Sequence, residues 1–145
     1  MKISGEIYFT KVSKSGAVEK LYRKNRVTQI GVELIIDKLL GNSTATLDIL
    51  AVGSGVTANT GLESGLATQI STGPITNIIQ TSSPPIGGAI QVHGKIIAST
   101  GATVTECGIF AGSTLFSRAV FSTNPIIMQP DDYLDIAWVI SFNSV

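Results

Sequence analysis

The chain has 145 residues, ten acidic and ten basic side chains, and a single cysteine. That length supports one domain with its own core, and zero net charge offers no long-range pull toward nucleic acid or an anionic membrane. One cysteine excludes an internal disulfide.

No run of about 18 apolar residues is present to cross a membrane. Met1-Lys-Ile-Ser-Gly-Glu6 lacks the apolar stretch of a signal peptide, so synthesis and retention in a cytosol are expected. Only 14% of residues are charged, against roughly 25% in ordinary soluble domains. Residues 64–94 contain no Asp, Glu, Lys or Arg. A buried or Ser/Thr-rich segment would account for this, and so would a surface covered by other subunits.

In chain order, Ile3, Gly5, Ile7 and Phe9 alternate with Ser4, Glu6, Tyr8 and Thr10, the pattern of a half-buried strand. Lys14-Ser-Gly16 is a turn, and residues 18–22 return as the second arm of a hairpin. A helix follows, with Thr28 as N-cap, Gly41 beyond its C-terminus and residues 30–40 between. Val32, Ile35, Ile36, Leu39 and Leu40 form its apolar stripe, expected to cover a sheet, while Glu33, Asp37 and Lys38 face away.

Residues 47–52 read as a short strand and 57–73 as a surface loop. Residues 75–81 and 90–97 are two more strands, separated by Ser82-Ser-Pro-Pro-Ile-Gly-Gly88, whose prolines and glycines argue against a regular ladder. Three final strands are expected over 104–110, 114–121 and 134–142. In the last, Leu134, Ile136, Trp138, Ile140 and Phe142 share one face. The expected fold is mainly β: one antiparallel sandwich or jelly-roll-like barrel with one α-helix over about 28–40, in a single domain spanning residues 1–145. Residues 1–24 form an N-terminal hairpin or arm.

If Ala111-Gly112-Ser113 is a three-residue hairpin loop, Phe110 opposes Thr114 and Glu106 lies directly across from Arg118. Such an opposite-charge cross-strand pair contributes about 0.2–1 kcal/mol and penalises a register slip.

Groups that could carry chemistry are sparse. Gly53-Ser-Gly55-Val-Thr-Ala58 matches a dinucleotide fingerprint in letters, but no helical period follows to aim an N-terminus at a pyrophosphate. The glycines are better read as a tight exit from a strand. His93, the only histidine, alternates with Val92 and falls on an exposed strand face with no carboxylate near it in sequence. Asp131-Asp132 reads as the turn into the last strand, and Cys107 as a small buried side chain. Lys20-Leu-Tyr-Arg-Lys-Asn-Arg26 could touch phosphate, and a solvated strand end explains it equally well. No catalytic, cofactor-binding or metal-binding residue is assigned, and no cofactor is expected.

The order of several short motifs is informative. Asn25-x-Val27-Thr28-x-x-Gly31 leads into the helix, followed by Val52-Gly-Ser-Gly55-x-Thr57 and Gly61-Leu-Glu63. Later come Glu106-x-Gly-Ile-Phe110, Leu115-x-x-Arg118-x-x-Phe121 and Asp132-x-Leu-x-Ile-x-Trp138-x-Ile-x-Phe142. Over residues 25–142 this order resembles small β-rich virion proteins of tailed bacteriophages, and it is similar to the N-terminal domain of phage tail fibres. The resemblance implies a glutamate and an arginine on adjacent strands, in agreement with Glu106 and Arg118.

With Val145 three residues past the last strand, no fibre shaft is expected. The resemblance then points to a stand-alone module of the capsid decoration (cement) type, located in the virion and made in the host bacterial cytoplasm. The expected function is non-enzymatic: docking on the head shell and stabilising it as a homo-oligomer. Its partners would be the major capsid protein or tail proteins, with no nucleic acid and no membrane. The alternatives are a tail-fibre anchor or baseplate adaptor and, more remotely, a carbohydrate-binding module. Residues 64–94, within them Ser82, Ser83, Pro84, Pro85 and Ile86, and the arm 1–12 are the candidate contact segments.

Overall fold

The computed structural model describes residues 2–83 and 87–143. Its strands are β1 (Lys2–Val12), β2 (Val18–Val27), β3 (Ile49–Gly53), β4 (Gln69–Ser83), β5 (Gly87–Ala98), β6 (Ala102–Val104), β7 (Glu106–Ala111), β8 (Thr114–Val120), β9 (Ile126–Met128) and β10 (Asp132–Asn143). One helix, α1 (Gln29–Leu39), follows β2. Eight strands close an antiparallel barrel in the order β1-β10-β5-β4-β3-β7-β8-β2, and β6 pairs with β9 in a small separate sheet. The mainly β, barrel-like architecture expected from the sequence is therefore present.

The alternating strands fill the barrel. Ile7, Trp138 and Val92 lie side by side on β1, β10 and β5, and all three are fully buried. Leu134, Ile136 and Ile140 continue the inward face of β10, with Phe142 half-buried at its end. The first hairpin belongs to the barrel: β1 pairs with β10 on one side and β2 on the other. Of the hairpin and arm readings the hairpin is the one formed, with Gly5–Val12 of β1 paired on both edges.

The helix ends where its sequence requires. Thr28 accepts from the Gly31 N–H at 2.9 Å. At the other end Gly41, at φ +74°, lets its N–H reach the Lys38 carbonyl and that of Asn42 reach Asp37, a Schellman closure. Its rotation differs from the expected one. Gly31 is buried and Leu34 and Ile35 pack on the barrel core, whereas Ile36 and Leu39 are 49% and 83% exposed.

The cause is the docking of the helix N-terminus. The Thr28 N–H donates to the Phe116 carbonyl (3.0 Å) and its hydroxyl to that of Leu115 (2.7 Å). A Cβ on Gly31 would stand 2.2 Å from the Phe116 oxygen. Only a glycine permits that approach, and the approach sets which helix face turns inward.

Phe116 also corrects the hairpin register. The turn is two residues, with Ala111 opposite Thr114, and a bulge at Phe116 shifts the ladder between Ile109 and Phe110. Glu106 therefore faces Val120, and Arg118 faces Gly108. The bulge arises where Phe116 turns its carbonyl to the helix instead of leaving it to the ladder.

Two other expectations change. β4 begins at Gln69, inside the stretch read as a loop, because Gln69–Pro74 pair with β3. The β4–β5 ladder runs on through Ser82↔Gly88 and Ser83↔Gly87; Pro84, Pro85 and Ile86 lie outside the described residues.

Candidate functional site

The two charged residues singled out in the β7–β8 hairpin come together, although not directly across the ladder. Both are fully buried. Arg118 reaches diagonally over Gly108, and its Nη2 and Nε donate to Glu106 Oε2 at 2.8 and 3.0 Å. The same carboxylate accepts the N–H groups of Gly55 (3.0 Å), Ala67 (3.0 Å) and Thr68 (2.7 Å). Arg118 Nη1 donates to the Thr57 carbonyl at 3.1 Å. Glu63, 3.9 Å from that guanidinium, gathers the N–H groups of Thr60 and Gly61.

The segment between β3 and β4 is thus threaded over one buried ion pair. Gly53 and Gly55 stand where a Cβ would lie 2.6 and 2.4 Å from Glu106 Oε1. Their smallness admits a carboxylate of this chain, which is the local reason for the Gly53-Ser-Gly55 sequence. Burial pushes the Glu106 carboxyl up, but the Thr68 and Ala67 N–H groups and the Arg118 guanidinium outweigh it and hold it below the usual carboxylate range. Five donors saturate the carboxylate. Its work is to hold a loop, and it has no lone pair left to take a substrate proton.

The remaining singled-out groups are scattered. His93 lies on the outer barrel face in a groove of about 450 Å³, shared with Tyr8, Thr10, Lys95 and Asp135. Imidazole and carboxylate are not hydrogen-bonded there. Lys95 sits 3.9 Å above the centre of the Tyr133 ring. Asp131 and Asp132 form the turn into β10: Asp131 has φ +66°, and Asp132 accepts the Gln129 N–H at 2.8 Å. Cys107 is buried, and burial pushes its thiol far above the usual range. The basic cluster lies along β2, with Lys20, Lys24 and Arg26 outward and Arg23 stacked on Phe121 at 5.1 Å. Among the described residues no three His, Cys, Asp or Glu side chains converge as a metal site would require. Trp138 is buried and cannot stack on a sugar.

What the fold does assemble is a surface. The β4 part of the charge-free stretch is not core: of Gln69–Thr81, only Gly73 is buried. Ile70, Ile78 and Ile79 are each about two-fifths exposed, among Ser, Thr, Asn and Gln side chains. At the barrel end that holds α1, an apolar cleft of about 210 Å³ opens between Leu34, Ile35 and Leu39 of the helix, Leu47, and Ile90 and Phe142 of the barrel wall. Val32, Ile36, Leu39 and Leu40 are exposed on α1 beside it. Sequence reading missed this exposed face because an amphipathic period shows that a stripe exists, not which partner covers it. No protein-family model, curated protein or solved structure matches the chain.

Proposed function

We propose that this chain is a non-enzymatic structural protein of a tailed-phage virion, and most concretely a capsid decoration protein that docks on the head shell and stabilises it. The observation that carries the reading is the charge-free stretch 69–81, which lies on the surface and displays isoleucines among neutral polar groups. An unprotected surface of this kind marks a protein contact. The exposed apolar residues of α1 extend it. The resemblance of the motif order to small phage virion proteins supplies the setting.

The mechanism is mechanical. A barrel with a pinned loop presents rigid neutral and apolar surface to capsomer edges. Each contact is weak, and many copies on a repeating lattice act together. The major capsid protein is the partner this requires.

Immunogold labelling of intact particles with antibody against the chain tests the proposal. Label spread over heads is the expected result. Label confined to tails would replace the decoration role with a fibre anchor or baseplate adaptor. Unlabelled particles, together with absence of the chain from disrupted ones, would remove the virion role.

A further inference from the structure

β4 is much longer than its neighbour β3. The two pair only from Ile49↔Pro74 to Gly53↔Gln69, while on its other side β4 pairs with β5 as far as Ser83. The Ile75 N–H still finds the Asp48 carbonyl at 2.8 Å. Beyond it, no strand among the described residues lies against this edge. After the register shift between Ile75 and Asn77, the β4–β5 ladder is regular from Asn77 to Ser83. Along that stretch every second residue of β4 directs its N–H and C=O away from β5, into an open edge.

Proteins blunt such edges with lysine, proline, a bulge or an inward charge. Here Asn77-Ile-Ile-Gln-Thr-Ser-Ser83 contains no charge and no proline, and the bulge lies before the open stretch. Ile78 and Ile79 occupy opposite faces and remain 42% and 39% exposed. A strand laid along the edge would cover both.

We infer that this edge pairs antiparallel with the same edge of a second copy, about a two-fold axis near Ile79, so that the β4–β5 hairpins of two barrels form one continuous sheet. Antiparallel edges are self-complementary in hydrogen bonding, as an isologous contact demands. Charge permits the self-match: the edge is neutral, β5 behind it is uncharged up to Lys95, and the whole chain is neutral. Like charges facing across the axis would oppose it. A foreign strand would instead be selected by a complementary charge, and this edge offers none. The inference does not depend on the virion role, since it concerns the purified chain.

Light scattering on the full chain across a concentration series, with Ile79→Lys, Ile79→Glu and their equimolar mixture, is the test. The wild type is expected to run at the mass of two chains, each variant alone at the mass of one, and the mixture at two again, because a position near the axis meets its own counterpart. Circular dichroism and Trp138 fluorescence verify that the variants are folded; if either is not, Gln80→Lys and Gln80→Glu, whose charges meet diagonally across the same axis, replace them. A wild type that stays monomeric overturns the inference, whether or not another protein captures the edge. So does a dimer indifferent to the substitutions, or a mixture that stays monomeric.

Discussion

Arg118 faces Gly108 across the β7–β8 ladder and reaches past it to Glu106, placing Nη2 2.8 Å from Oε2. Position 108 is itself tightly packed: a Cβ there would lie within 2.9–3.2 Å of Leu66, Leu115 and Phe110. The pair is a buried clasp between the hairpin and the segment joining β3 to β4. Its cost of burial is offset because the carboxylate also accepts three backbone N–H groups and Arg118 Nη1 also donates to the Thr57 carbonyl.

Removing one partner should therefore be far worse than losing a surface ion pair. Arg118→Met leaves a buried carboxylate without its counter-charge and should destabilise by about 3–5 kcal/mol. Glu106→Gln should cost somewhat less, since an amide oxygen can still accept some of the loop N–H groups. The double variant should lose clearly less than the sum of the two. Urea unfolding followed by Trp138 fluorescence measures all three; strict additivity would refute a direct coupling.

The same site sets acid stability. Glu106 and Glu63 both have carboxyls held below the ordinary value of 4.5 in the folded chain. For Glu63 burial again raises, and the N–H groups of Thr60 and Gly61 are among the bonds that outweigh it. A carboxyl with a depressed folded pKa contributes stability in full above its unfolded value and loses it as pH falls through the folded one. Melting temperature should hold above pH 4.5 on this account and decline below it. Glu106→Gln should flatten part of that decline. An unchanged acid limb in the variant would show that other carboxylates govern it.

How much of this was legible in the sequence depends on the range of the interactions involved. The inward faces of β1 and β10 and both caps of α1 follow from neighbours a few residues apart, and they are where alternation, Thr28 and Gly41 put them. The hairpin register was not legible, because the bulge at Phe116 exists to meet Thr28, which is 88 residues away in sequence. The helix rotation fails for the same reason. Gly31 carried a signal in its motif, but the reason for it is a carbonyl on another strand. The short β6 and β9 offer too few residues for a period to show. The partners of Glu106 are backbone N–H groups, which no side-chain pattern announces.

Gly31 provides the sharpest steric test. Gly31→Ala places a methyl 2.2 Å from the Phe116 oxygen, so the helix N-terminus must lift from the bulge and strain the Thr28 bonds. A loss of about 1–3 kcal/mol is expected, the range for overpacking a tight contact. Gly65→Ala, with nothing within 4 Å of the added carbon, should be close to neutral. Equal effects at the two positions would contradict the docking of α1 on Phe116.

Cys107 should report unfolding cleanly. It is completely buried, and burial pushes its thiol far above the usual range, so the thiolate that reacts is scarce in the folded chain. Labelling by a thiol reagent should be slow in buffer and rise in urea along the same transition as Trp138 fluorescence. Fast stoichiometric labelling of the native chain would place Cys107 at the surface.

The exposed face of α1 separates docking from folding. Leu39 is 83% exposed and contributes little to the core, so Leu39→Lys should change stability by no more than about 0.5 kcal/mol. If the surface beside the apolar cleft contacts a capsid lattice, the same substitution puts a charge into the buried contact and should lower occupancy on particles. Mixing purified chain with shells that lack it, then counting bound copies by quantitative gel, gives the comparison. Wild-type occupancy with Leu39→Lys would exclude this face from the contact and leave the charge-free strand β4 to carry it alone.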